Sequence, residues 1–571
     1  MLKRRRDRTA PGDGLDFAGR PEARYRRSRL RITGPTAVML TVLVPIAVHV
    51  MGTPPTDHVE RGRRYYISPH GDDSSDASSP ARAWRTLKRA RAIIFRPGDQ
   101  ILLEGGARFP GSIRLGPAAA GDPSNPVVVA SYGSGRATIE AAGGSAITVF
   151  DTAGVEIRNL VLTGDQASYR SAGGIKLYSD LPGDRKLDHV VISGFEVTGF
   201  QNGIEIGGGR GATGFRDVAI RDGALHGNRD AGLVTYGPPF NPTAPRYAHE
   251  SVSVSGVQAF DNLGNPDDQE INSGSGVVLG SVRGALVEHS TAHDNGARCS
   301  ALTGPVGIWA YDSADVVIQH NVAFHNRTAG SADGGGFDLD QNVSSSVLQY
   351  NLSYENSGAG YLIYSSLPNA AHTGNVVRFN ISGDDGRSSS FYGAISVFGT
   401  VSHLQLYHNT VVVSGNGPNL PAALALHGPL SGIAIRNNVF VGNGTQPLSA
   451  SDALRLDQVL LQGNDLFAAQ GQWSIGWGTA TFASMADWRE ATGQERVDGT
   501  DSGLSIDPGF IRAPAALGTD RAVDYLPGAG SALVGGAVDL RALGVDPGPI
   551  DFLGRSLTRR MTVGAIQAPG K

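Results

Sequence analysis

Short bursts of alternating apolar and polar residues, each opening on glycine, recur along the middle of this chain. They are GGIKLYS (173–179), NGIEIGG (202–208), AGLVTYG (231–237), SGVVLGS (275–281), VGIWAYD (306–312), GGFDLDQ (335–341) and AGYLIYS (359–365). A period of two predicts strands with one buried face. The aligned glycines, Gly174, Gly203, Gly232, Gly276, Gly307, Gly336 and Gly360, are spaced 29, 29, 44, 31, 29 and 24 residues apart. A second short apolar burst follows in most repeats, as in DVVIQHNVA and SSVLQYNLS. It ends near Asn321, Asn351, Asn380, Asn409, Asn438 and Asn464, at spacings of 30, 29, 29, 29 and 26. Amides recurring at a turn can bond to one another along a stack. Several short strands per repeat, with Gly and Asn at the corners, predict an all-β solenoid, the parallel β-helix. One coil cannot bury its own apolar face, and stacking coils does so. A leucine-rich solenoid needs an L-x-x-L-x-L frame that is missing, and a propeller blade needs a longer repeat.

The ends of the solenoid need covers. ARAWRTLKRARAI (81–93) spaces Trp84, Leu87, Ala90 and Ile93 at helical intervals, which predicts a cap helix over the first coil. Residues 507–540 lose the repeat and predict an irregular cap that shields the last sheet edges. The expected organisation is a first-coil region (65–150), a core (151–470) and C-terminal coils with their cap (471–571).

The strand register orders the outward side chains. Reading each burst as glycine, in, out, in, out gives a first outward column of Lys176, Glu205, Val234, Val278, Trp309, Asp338 and Leu362. The second column is Tyr178, Gly207, Tyr236, Gly280, Tyr311, Asp340 and Tyr364. Asp338 and Asp340 thus share a face, one coil from Trp309 and Tyr311 and one coil from Tyr364. Sugar rings stack on aromatic faces, and paired carboxylates act on glycosidic bonds or hold a cation. This predicts a polysaccharide groove with Asp338 and Asp340 catalytic and with Trp309, Tyr311, Tyr364, Tyr236 and Glu205 in contact with the glycan. Glycines at two second-column positions would leave room for a flat-lying chain. Insertions at 238–250, 263–272 and 297–305 would wall it. The plainer alternatives are an outward Asp pair that is only structural and a tyrosine column that only stiffens the coils.

Charge adds a location. Residues 1–33 hold 11 of the 49 Lys/Arg and 4 of the 53 Asp/Glu, leaving 38 against 49, a net of −11, for the remainder. An acidic body does not suit nucleic acid. The basic head precedes an uncharged run, TAVMLTVLVPIAVHVMG (36–52). That pattern reads as an export signal or membrane anchor over 34–52, followed by a linker over 53–64. The body is then expected outside the cytoplasm, touching membrane only through this segment, and monomeric. One cysteine, Cys299, precludes an internal disulfide framework. The 78 glycines lack a Gly-X-Y period, which excludes collagen.

The entry YYISPHGDDSSDASSPARAWRTLKRA with PGDQILLEGG, the DxD strand, and the tail DPGF…DYLPGAGSALVGGA resemble the right-handed parallel β-helix proteins of the pectate-lyase-like superfamily. The likeness covers roughly residues 65–570. It implies a carbohydrate-active enzyme, first a polysaccharide lyase on an acidic glycan. In that group such lyases use calcium bound by Asp residues and a Lys or Arg base. Calcium on Asp338 and Asp340 would neutralise a uronate so that a base could take its C5 proton. Lys176 and Arg283 are the candidate bases, but Lys176 lies five strands, about 24 Å, from Asp338. His293 or His325 would then have to serve. The alternatives are an inverting glycoside hydrolase using Asp338 and Asp340, whose Cα atoms would lie about 6.6 Å apart, and a non-catalytic glycan-binding or surface protein.

Overall fold

The computed structural model describes residues 62–571 except 120, 166–172, 367–370, 390, 416, 513–520 and 569–571. The basic head, the apolar run and most of the expected linker lie outside the described residues. The body from Glu60 onward is one compact unit.

The chain winds as a parallel β-solenoid of two hydrogen-bonded sheets, of 25 and 14 strands. The larger sheet bends around two sides of each coil. Its long strand Gly214–His226 pairs first with Lys186–Ser193 and then with Glu196–Thr198. The smaller sheet forms the remaining wall, which carries the glycine-led bursts. Nine of its strands matter below: β1 (Gly173–Ser179), β2 (Asn202–Gly208), β3 (Ala231–Tyr236), β4 (Ser275–Gly280), β5 (Val306–Tyr311), β6 (Gly335–Leu339), β7 (Tyr361–Ser365), β8 (Ile395–Gly399) and β9 (Leu424–His427). Each pairs in parallel with the next. Their inward residues, among them Ile204, Leu233, Ile308, Phe337 and Ile363, are fully buried in the central core.

Corners are built from a left-handed residue followed by an inward amide. His320, Tyr350, Phe379, His408 and Asn437 have φ of 50–56° and immediately precede Asn321, Asn351, Asn380, Asn409 and Asn438. From Asn351 onward, each Asn side chain accepts from the backbone N–H and the Nδ2 of the Asn one coil before. Asn321, for example, donates through N and Nδ2 to Asn351 Oδ1 at 3.0 and 3.1 Å. The Nδ2 also donates to a carbonyl of the preceding coil, Val287 for Asn321. This ladder runs to Asn464 and ends on Glu495. A second ladder, which the sequence reading did not find, runs through Asn228, Asn262, Asn295, Asn326 and Asn356 and ends on Asp385.

The covers differ in detail from expectation. Where a helix over 81–93 is predicted, the chain forms a 3-10 turn (Pro80–Arg82) and a single-turn helix α1 (Leu87–Ala90). Trp84, Leu87 and Ala90 are buried in the central core. At the far end an unpredicted helix, α2 (Met485–Thr492), buries Trp488 edge-on against Trp477 and plugs the core. The irregular tail folds back along the outside of the last coils. There Tyr525, Leu533, Val563 and Ile566 pack on Leu352, Ile381, Val412, Val439 and Val441.

Candidate active site

The outward columns form as the register predicts. Lys176 pairs with Glu205, Glu205 with Val234, Val234 with Val278, Val278 with Trp309, Trp309 with Asp338 and Asp338 with Leu362. Over this wall lies a groove of about 960 Å³. Lys176, Glu205, Tyr236, Trp309, Tyr311 and Asp340 line it, joined by Asp230, Asp312, Gln341 and Asn342. Pro239 and Phe240 from the first insertion and Ile271 and Asn272 from the second form its sides. The third insertion, 297–305, contributes none of the lining residues; its Cys299 is buried.

Several expectations about this wall need correction. Trp309 is not an open platform. It is 6% exposed, packed with Ala231, Val278 and Val306, and its Nε1 donates to Ser275 Oγ at 3.1 Å. The glycines of the second column do not leave a bare floor. A Cβ on Gly207 would lie 2.5 Å from the Tyr236 ring, and one on Gly280 would lie 2.3 Å from the Tyr311 ring. Each glycine therefore exists so that the tyrosine of the next coil can lie flat against the sheet. Asp338 and Tyr364 are not among the groove-lining residues. Of the four proposed bases, Arg283, His293 and His325 do not line the groove. Arg283 sits on the larger sheet, 3.6 Å from Asp315. His293 is sandwiched between Phe260 and Phe324, and His325 Nε2 contacts Glu355 at 2.9 Å. Lys176 does face the groove, but its Nζ is 2.8 Å from Glu205 Oε1. Tyr236 Oη donates to the same Glu205 oxygen at 2.7 Å, so this carboxylate is held from two sides.

The opposite end of the groove is different in kind. Asp338 is 3% exposed, and its Oδ1 is buried without a hydrogen-bond partner. Burial, with Asp340 and Asp333 nearby, drives its pKa well above the ordinary carboxylate range. Asp340 keeps a partial opening to the groove, and its Oδ1 accepts the Gln341 N–H at 2.6 Å. Burial, and then repulsion from Asp333 and Asp312, raises its pKa to about 7. Asp333 is fixed by Tyr392 Oη on Oδ1 at 2.8 Å and by the Gly304 N–H on Oδ2 at 2.9 Å. Asp312 Oδ1 accepts from Asn342 Nδ2 at 2.5 Å, and burial raises its pKa too. A cluster of carboxyls shut away from water titrates high, so Asp340, which partly meets the groove, can hold a proton near neutrality.

Calcium does not suit this donor set. It takes about six to eight oxygens. Among the described residues no three His, Cys, Asp or Glu side chains form a group that could hold a metal ion. The unpartnered oxygen of Asp338 is buried, and Asp338 does not line the groove.

A family model described as the right-handed β-helix region matches residues 251–411. The chain folds as a right-handed parallel β-helix. It is 22% identical to a lacto-N-biosidase of Bifidobacterium longum subsp. longum over 76% of its own length, and it spans only 34% of that protein. Among solved structures it is similar to a GH136 lacto-N-biosidase from Eubacterium ramulus (18% identity, TM-score 0.47, 61% of this chain and 64% of that one). It is also similar to the pectate lyase Pel9A (16% identity, TM-score 0.37, 90% and 98%).

Proposed function

We propose that this β-helix is a glycoside hydrolase that cleaves a neutral glycan outside the cytoplasm, with Asp340 as the proton donor. The observation that carries this is the charge of the groove. Among the described residues its carboxyls are Glu205, Asp230, Asp312 and Asp340, and the one lining cation, Lys176, is already paired with Glu205. A polyuronate would find no free cation among the described lining residues to neutralise it, which weighs against the expected lyase. A neutral sugar meets no such penalty. It gains hydrogen-bond acceptors along the groove and the partly exposed ring of Tyr311 beside Trp309.

Hydrolysis needs one carboxylic acid to protonate the departing oxygen and a second carboxylate to act as base or nucleophile. Asp340 meets the first need, because its raised pKa keeps it protonated up to about pH 7. Asp338, on the same face of the strand, is buried, is absent from the groove lining and is not among the groups that raise Asp340, so it packs the wall rather than acting on the sugar. The second carboxylate is Asp312, which lines the groove and is one of the two neighbours that raise Asp340. The curated relative bears the name of a glycosidase, which supports the same class of reaction.

The test is digestion of a panel of neutral and acidic glycans read by mass spectrometry and ultraviolet absorbance. The expected result is new reducing ends from a neutral glycan, without the absorbance of an unsaturated uronate. An absorbing product from a uronan would replace this reading with the lyase. No cleavage of any glycan would leave a binding protein.

A further inference from the structure

The outward columns continue past Asp338 on the side away from Lys176. Tyr364 in β7 pairs in register with Phe398 in β8, and Phe398 with His427 in β9. At about 4.8 Å per strand, these rings lie one, two and three coils beyond the acids, a reach of about 14 Å. Trp309 and Tyr311 lie one coil to the other side.

Phe391, in the segment that leads into β8, stands over this run. It is 45% exposed. A lone exposed phenylalanine needs no explanation, but this one is held in place. Its ring stacks on His427 at 4.7 Å and 13°, and meets Phe398 edge-on at 5.3 Å. Its carbonyl accepts from His427 Nε2 at 3.1 Å. The next residue, Tyr392, is buried and donates to Asp333 in the acid cluster. An apolar ring fixed by this many contacts and still open to water is a preorganised surface: binding to it costs little ordering entropy. Burial lowers the pKa of His427, so the stack presents rings rather than charge.

The geometry points to a leaving-group platform: Phe391, supported by Phe398 and His427, stacks a sugar ring on the opposite side of the scissile bond from Trp309. The occupant is the continuation of the same neutral glycan, because Phe398 and His427, which carry the platform, extend the second outward column, the one that holds Tyr236, Tyr311 and Asp340 in the groove. This inference rests on the glycosidase reading.

The test compares two substrates: an oligosaccharide that the enzyme cleaves, and the 4-nitrophenyl glycoside of its donor unit, whose leaving group is too short to reach Phe391. Phe391→Ala should lower the ratio of kcat/KM values, oligosaccharide over nitrophenyl glycoside, by about five- to tenfold, and Phe391→Trp should restore it. A ratio equal to that of wild type overturns the platform. If wild type cleaves neither substrate, the glycosidase reading fails on its own. Binding of labelled protein to a printed array of neutral oligosaccharides then decides the platform. Signals of wild type that Phe391→Ala loses support it, and matching patterns overturn it.

Discussion

Two parts of the molecule bury carboxyl groups, and they do so differently. At the corners, Asp385 and Glu495 terminate the asparagine ladders. Asp385 accepts from Asn356 and from Ser382 at 2.6 Å, and Glu495 accepts from Asn464 N and Nδ2 at 3.2 and 2.7 Å. On the outer wall, Asp338 has an oxygen with no partner, and Asp340 opens to a groove. Burial raises all four, with Asp385 at about 6, Glu495 at about 7 and Asp340 at about 7. A shifted pKa therefore does not distinguish a site from a ladder end. What distinguishes them is whether the acid's hydrogen bonds are already met and whether a substrate can reach it.

The sharpest way to break this comparison is Asp340→Asn. It should reduce kcat by about 10²–10⁴-fold and leave the melting temperature near that of wild type, measured by hydrolysis and by thermal unfolding. Asn380→Ala, in the middle of a ladder, should do the reverse. It strips the partner from the Asn351 N–H and Nδ2 and should destabilise the fold by about 2–3 kcal/mol in denaturant unfolding, while activity of the folded fraction persists.

Glu495→Gln tests the ladder end through pH. The folded-state pKa is raised, so the stability this group contributes is complete below its unfolded value of about 4.5 and lost as pH rises through about 7. The variant should accordingly be more stable than wild type in denaturant unfolding at pH 8, by about 3 kcal/mol, with little difference at pH 4. The smallest effect belongs to Asp338→Asn. Burial and the Asp340 charge hold Asp338 in its neutral form, so this variant should leave the alkaline limb of the pH–rate profile, set near pH 7, where wild type has it.

The strand register was legible because glycine marks where each burst begins and the period of two then assigns every face. The first outward column from Lys176 to Leu362 came out residue for residue. The side chains' resting places were not legible. Tyr236 and Tyr311 bend across the glycine of the previous coil, and Trp309 turns its indole to Ser275. Such choices depend on the neighbouring coil rather than on local alternation. Asp230 and Asp312 were missed for a related reason: both lie at strand ends, outside the G-in-out-in-out frame. The second ladder had a signal that could have been read. Asn228, Asn262, Asn295, Asn326 and Asn356 recur at 34, 33, 31 and 30 residues, each preceded by a residue at positive φ. The insertions displaced that spacing enough to hide it.

The account is tested most directly by incubating wild type, Asp340→Asn and Glu495→Gln side by side with the glycan panel at pH 6 and measuring reducing ends and ultraviolet absorbance together. Wild type and Glu495→Gln should both release reducing ends from a neutral glycan without absorbance, and Asp340→Asn should release almost none. Equal release by Asp340→Asn, or an absorbing product from a uronan, would contradict it.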